Sequence, residues 1–207
     1  MDKYYKTDQE SFWANEFGNQ YIERNVGDFL LASNLSFFSR ALKNAVNIKS
    51  CIEFGANVGM NLRALKLLYP NLDLTGIEIN HKAANILKSF IGEKKVINDT
   101  IFNVEFESKF DVSLIKGVLI HIKPDMLQLV YEKLYLSSSK YILIAEYYNP
   151  SPVEISYRGH DDKLFKRDFA GEIMDKYPDL QLIDYGFVYK RDNSFPQDDI
   201  TWFLLKK

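Results

Sequence analysis

The segment Glu53-Phe54-Gly55-Ala56-Asn57-Val58-Gly59 ends a short apolar run and opens a helical one. Glycines at such a junction let the backbone turn sharply and let a ligand lie against it, and the first amides of the following helix face outward. Glu78, with Ile79 beside it, ends the next apolar run. A carboxylate there can accept hydrogen bonds from both hydroxyls of a ribose that carries no 2′-phosphate. Asn98-Asp99-Thr100 follow a third apolar pair, Val96-Ile97, and offer polar groups to an adenine amino group. In this order and spacing the three segments predict a pocket for an adenosine-bearing ligand.

The glycine spacing narrows the choice. Dinucleotide turns read G-x-G-x-x-G, and the middle glycine lets the backbone approach a pyrophosphate. Here the spacing is Gly55-x-x-x-Gly59, and Asn57 stands where the middle glycine would be. A pyrophosphate would meet a side chain. An amino-acid tail would instead meet Glu53, Asn57 and the backbone around Gly55 and Ala56. The expected cofactor is therefore S-adenosylmethionine rather than NAD, although Asn57 departs from the generic S-adenosylmethionine pattern as well. Lys116 and Gly117 fall where a later strand meets the cofactor, and Gly117 would admit its methionine part. Tyr21 and Arg24, one turn apart on an N-terminal helix, could close on the cofactor carboxylate.

Chemistry needs a proton acceptor if the methyl group goes to a hydroxyl. His121, shortly after the fourth strand, is the candidate base, since an imidazole titrates near neutrality. The stretch from Glu146 to Asp168 is polar and aromatic and reads as a long functional loop. Within it Tyr147, Tyr148, Arg158, His160 and Arg167 are candidate substrate contacts, the arginines suited to a carboxylate or phosphate. Asn149-Pro150-Ser151-Pro152 follows the fifth strand and shapes that loop. The histidines are His81, His121 and His160 and the lone cysteine is Cys51, so no metal site is expected.

The elements that must carry these residues follow from periodicity. Residues 8–46 read as two helices, the first capped at Thr7 or Asp8, with Phe12, Trp13, Phe17 and Tyr21 on one stripe. Strands are predicted at 51–54, 72–79, 96–97, 111–115 and 140–146, with helices at 60–68, 82–91 and 124–136 between them. That alternation implies right-handed crossovers and a parallel sheet covered on both faces. Strands at 182–189 and 200–205 lie too close for a crossover helix and must form an antiparallel hairpin. The expected fold is α/β: a Rossmann-like seven-stranded mixed sheet, five parallel strands plus the C-terminal hairpin, with an N-terminal helical cap. One domain is expected, divided into a cap (1–48), a cofactor-binding core (49–146), a substrate-facing insertion (147–181) and the hairpin (182–207).

The chain has 207 residues, 46% of them hydrophobic, enough for one real core. Its formal net charge of −2, from 26 basic and 28 acidic residues, gives no footprint for nucleic acid, so the expected partner is a small molecule. The opening residues lack the apolar stretch of a signal peptide and no apolar run is long enough to span a bilayer. A cytoplasmic protein away from membranes is expected.

Larger blocks resemble one family. Phe12-Trp13, Glu16-Phe17-Gly18, Tyr21, Arg24 and Asn25 are similar to the opening signature of the pseudaminic acid biosynthesis-associated methyltransferases. So are the run from Glu53 through Met60-Asn61-Leu62 and the run Lys116-Gly117-Val118-Leu119-Ile120-His121-Ile122. The block Ala145-Glu146-Tyr147-Tyr148-Asn149-Pro150 through Tyr157-Arg158-Gly159-His160 to Phe169-Ala170-Gly171, and the closing Gln197-Asp198-Asp199-Ile200-Thr201-Trp202, resemble it too. The resemblance spans nearly the whole chain. It implies a class I methyltransferase using S-adenosylmethionine, associated with bacterial nonulosonic acid pathways, with a nonulosonic sugar or its nucleotide-linked precursor as substrate. A noncatalytic S-adenosylmethionine-binding protein of such a pathway, or a NAD-dependent sugar-modifying enzyme, are the competing expectations.

Overall fold

The computed structural model describes residues 5–157 and 160–207, with only the backbone described at 157 and 160–163. In chain order the helices and strands are α1 (Asp8–Ala14), α2 (Glu16–Ile22), α3 (Asp28–Ala41), β1 (Ser50–Phe54), α4 (Met60–Leu68), β2 (Asp73–Ile77), α5 (His81–Ile91), β3 (Val96–Ile97), β4 (Phe110–Lys116), α6 (Leu127–Ser137), β5 (Ser138–Glu146), β6 (Val153–Tyr157), β7 (His160–Lys166), α7 (Phe169–Lys176), β8 (Gln181–Val188) and β9 (Ile200–Lys206).

The main sheet has seven strands in the order β3-β2-β1-β4-β5-β9-β8. The first five are parallel, and β9 runs antiparallel to both β5 and β8. This is the mixed sheet expected from the alternation of elements and the short final connection. Its central strands are apolar on both faces because helices cover both. One core joins Phe37, Phe38, Leu62, Leu87 and Leu143. The other joins Ile52, Phe54, Ile115, Leu134 and Ile173.

The cap differs from the sequence reading, which placed two helices over residues 8–46. It contains three, because α1 and α2 are separated at Asn15 (φ −107°, ψ −139°). The Asn15 amide reaches back to the Ser11 carbonyl at 2.8 Å and terminates α1. The aromatic stripe survives the break: Trp13 meets both Phe17 and Tyr21 at ring-centroid distances of 5.2 Å. Side-chain spacing alone therefore hides the interruption. Thr7 caps α1 in a reciprocal capping box with Glu10, the arrangement that satisfies two end amides at once.

The second difference is the insertion. Part of the segment read as a long loop is a separate two-stranded antiparallel sheet of β6 and β7. The alternation of Val153, Ile155 and Tyr157 carried that period-two signal. Leu164 and Phe165 of β7 are buried, and the strand packs against the 3-10 turn Leu119–His121. The hairpin thus buttresses the turn that ends in His121. Among the described residues no helix is long and apolar enough to cross a membrane.

Candidate functional site

Parallel β1, β2 and β4 all end at one edge of the sheet, where an open α/β sheet forms its crevice. β1 stops at Gly55 (φ 74°), Asn57 sits in the left-handed region (φ 48°), and Gly59 (φ 84°) caps α4. Gly55 and Ala56 both donate to the Ile77 carbonyl at 2.9 Å, which stitches the turn to the end of β2. The glycines answer to packing as well as torsion. A Cβ on Gly55 would lie 2.6 Å from Val118, and one on Gly59 would lie 2.6 Å from Leu87. The space a side chain would need at these two positions is taken by the neighbouring loop and helix. Gly117 (φ 67°) has open space where a Cβ would stand and needs glycine only for its torsion.

Glu78 is buried, and its two carboxylate oxygens accept the backbone N–H groups of Asn57 and Asn80, each at 2.7 Å. Each oxygen keeps a further lone pair for a hydroxyl. Burial pushes Glu78 above the usual carboxylate range against the pull of those amides. Glu53, fully enclosed at the end of β1, receives the Asn61 amide at 2.6 Å on Oε1. Its Oε2 is buried without a partner. Burial raises its pKa to about 8, and Asn61 and Lys116 draw it down. Lys116 ends β4 with its ammonium 5.5 Å from the centre of the Phe37 ring, and burial lowers its pKa.

These groups surround a cavity of about 460 Å³ at the carboxyl edge of the sheet. The turn contributes Gly55, Ala56, Asn57 and Asn61, and the end of β2 contributes Glu78 and Ile79. Asp99 and Thr100 follow β3, Lys116 ends β4, and Gly117 and His121 follow it. The cap closes the cavity with Glu10, Trp13, Tyr21 and Asn34. His121 is 8% exposed, and its ring lies 4.6 Å from that of Trp13.

Other expected site residues lie elsewhere. Glu53 stands behind the wall and reaches it through Asn61. Asn98 turns its amide to the Glu78 carbonyl at 2.7 Å and its oxygen to His81, so it braces the β2 and β3 ends from outside the cavity. Arg24 is exposed and off the wall, whereas Tyr21 lies on it. Tyr147 lines the cavity, but Tyr148 is exposed and packs on Phe203. Arg167 pairs with Glu172 at 2.6 Å, away from the cavity. Arg158 and the His160 side chain lie outside the described residues. Among the described residues the cationic side chains on the wall are Lys116 and Lys123, and no group of His, Cys, Asp and Glu is placed to hold a metal.

Three positions escaped sequence reasoning. Glu146, at the end of β5, accepts the N–H groups of Val118 at 3.0 Å and Leu119 at 2.9 Å, and burial raises its pKa to about 7. Asn34 and Gln197, from α3 and the β8–β9 loop, join by a buried 3.0 Å hydrogen bond. The only signal for them was their place in the blocks that carry the resemblance or in the cap helix. Their role depends on long-range proximity.

The chain has the fold of the S-adenosylmethionine-dependent methyltransferases. The plantazolicin methyltransferase BpumL, solved with a pentazolic desmethylPZN analogue and SAH, aligns over 96% of this chain and 94% of its own at a TM-score of 0.66 and 16% identity. Magnesium protoporphyrin IX methyltransferase from Synechocystis PCC 6803, with SAH bound, aligns over 97% and 100% at 0.71 and 13%. The 1,6-didemethyltoxoflavin-N1-methyltransferase of Burkholderia thailandensis, with bound 1,6-didemethyltoxoflavin and S-adenosylhomocysteine, aligns over 100% and 93% at 0.69 and 12%. No family model matches the chain, and no curated protein matches its sequence.

Proposed function

We propose that this chain is a cytoplasmic S-adenosylmethionine-dependent methyltransferase acting on a small molecule, specifically a nonulosonic acid sugar or its nucleotide-linked precursor. The observation that carries the reading is the cavity that joins the turn after β1 to Glu78 and His121. Its residues fit the cofactor: Asn57 Oδ1 is buried without a partner at the turn, Glu78 has acceptor capacity for ribose, and Asp99 and Thr100 flank the adenine position. The solved neighbours that carry SAH share the fold on which this cavity is built. The sugar acceptor is supported by the sequence blocks that resemble the pseudaminic acid-associated family.

When bound, the cofactor supplies an electrophilic methyl group on a good leaving group. The chain's task is to hold the acceptor atom in line with that carbon and to exclude water, and orientation of this kind lowers the barrier by several kcal/mol. The cap supplies the roof, with Trp13 and Tyr21 over the cavity. His121 accepts the proton that a hydroxyl acceptor releases. Tyr147, at the mouth after β5, faces the acceptor. Residues 1–48 act as the cap, 49–146 hold the cofactor, and 147–181 support the acceptor side.

Calorimetry with S-adenosylmethionine, S-adenosylhomocysteine and NAD tests the cofactor: selective binding of NAD would overturn the reading. Incubation with labelled S-adenosylmethionine and a panel of nonulosonic acids, their nucleotide-activated forms and their precursors tests the acceptor. Binding of the cofactor without transfer to any hydroxyl or amine would leave a noncatalytic binding protein.

A further inference from the structure

The β8–β9 loop runs as a strap along the cavity wall. Gln197 is buried and bonded to Asn34 of α3 at 3.0 Å, which ties the strap to the cap. Asp199 occupies the left-handed region (φ 51°), a conformation that costs a non-glycine residue energy and recurs at functional sites. Its carboxylate accepts the Lys190 N–H at 3.0 Å and pairs with the Lys190 ammonium at 3.4 Å, which holds that conformation. Between these two anchors stands Asp198, on the cavity wall. Asp198 is exposed and, among the described residues, makes no hydrogen bond and no ion pair, with Tyr21 and Lys116 within electrostatic reach.

Lys116 lies on the same wall. Its ammonium senses Glu53 first and Asp198 next, and forms no ion pair with either among the described residues. The strap and the end of β4 thus hold one negative and one positive group apart around one cavity. Of the other carboxylates near the turn, Glu78 is on the cavity wall and Glu53 is off it, with its Oε2 unpartnered. Glu78 accepts two backbone amides, and Glu53 is enclosed behind Asn61.

We propose that Asp198 and Lys116 clamp the α-amino-acid tail of the cofactor, Asp198 receiving its ammonium and Lys116 its carboxylate. The proposal rests on the S-adenosylmethionine reading and assigns the tail to the strap and to β4, where Arg24 of the cap had been expected. A zwitterion satisfies both groups at once, and charge-assisted hydrogen bonds give the contact its strength.

The test compares S-adenosylhomocysteine with 5′-methylthioadenosine, which keeps the nucleoside and lacks the tail. Calorimetry is run on the wild type, Asp198→Asn, Asp198→Glu and Lys116→Met, each checked by thermal melting. Asp198→Asn and Lys116→Met are expected to weaken S-adenosylhomocysteine about tenfold or more and to leave 5′-methylthioadenosine unchanged, with Asp198→Glu partly restoring affinity. Equal losses for both ligands, or no loss for either, would overturn the clamp; no loss together with a raised KM for an acceptor would assign Asp198 to the acceptor instead. A wild type that binds neither nucleoside would remove the cofactor reading itself, a result distinct from a clamp that fails while both ligands bind.

Discussion

The carboxylate of Glu146 accepts the backbone N–H of Leu119 at 2.9 Å, two residues before His121. The same oxygen takes the Val118 N–H at 3.0 Å. The end of β5 therefore fixes the turn that follows β4, and with it the candidate base. Hydrogen bonds to a charged group contribute about 1.5–3 kcal/mol each. Glu146→Leu is expected to lower unfolding stability by about 3 kcal/mol or more, read from chemical denaturation. Glu146→Gln, which keeps an acceptor oxygen, should lose much less. Equal losses in both variants would show that a neutral acceptor oxygen of the same shape does not hold the turn and that the charge does.

His121 sits on the cavity wall against Trp13. For a hydroxyl acceptor, His121→Ala should reduce turnover by roughly 10²–10⁴-fold and leave S-adenosylhomocysteine affinity within about twofold of wild type. Turnover assays with labelled cofactor, paired with calorimetry, separate the two effects. Undiminished turnover rejects the assignment of the base.

Glu78 couples the turn to its ligand, because its oxygens hold the Asn57 and Asn80 amides while facing the cavity. Glu78→Ala is expected to weaken S-adenosylhomocysteine and 5′-methylthioadenosine alike, by about tenfold or more, since both carry the ribose. That common loss distinguishes it from the tail-selective loss expected at Asp198. An affinity that does not change for either nucleoside would remove Glu78 from the binding site.

Glu53 and Glu146 give stability a pH dependence. Burial holds the folded pKa of Glu53 at about 8 and that of Glu146 at about 7, against an ordinary 4.5. For a raised carboxylate the folded state binds the proton more tightly than the unfolded chain. The associated stability is fully present below pH 4.5 and is lost as pH rises through 7 and then 8. The melting temperature should fall across that interval, and Glu53→Gln should flatten the upper part of the fall. A melting temperature in Glu53→Gln that declines as steeply as in wild type would show that Glu53 is already ionised in the folded protein.

Arg167 carries a contrasting expectation. It pairs with Glu172 at 2.6 Å, and Glu172 also accepts the Tyr131 hydroxyl at 2.7 Å. Removing it leaves that partly buried carboxylate with less compensation. Arg167→Ala should cost about 1–2 kcal/mol of stability, measured by denaturation. An unaltered stability with a raised KM for a sugar acid would return Arg167 to substrate binding.

By itself the sequence determined what local rules govern. The alternation of buried apolar strands with amphipathic helices set the parallel half of the sheet, and the short connection before β9 required the antiparallel end. Glu53, Gly55, Glu78 and Asp99 were legible because each closes or follows a strand, and strands in one parallel sheet end along one edge. Tertiary structure decided whatever depends on separations far longer than a helical turn or a hairpin. The pairing of Gln197 with Asn34, the hold of Glu146 on Leu119, the diversion of Arg167 to Glu172 and the absence of Arg24 from the wall belong to this class. The reason is geometric. Periodicity fixes which way a side chain points relative to its own element, while the partner it meets depends on how elements from distant parts of the chain pack.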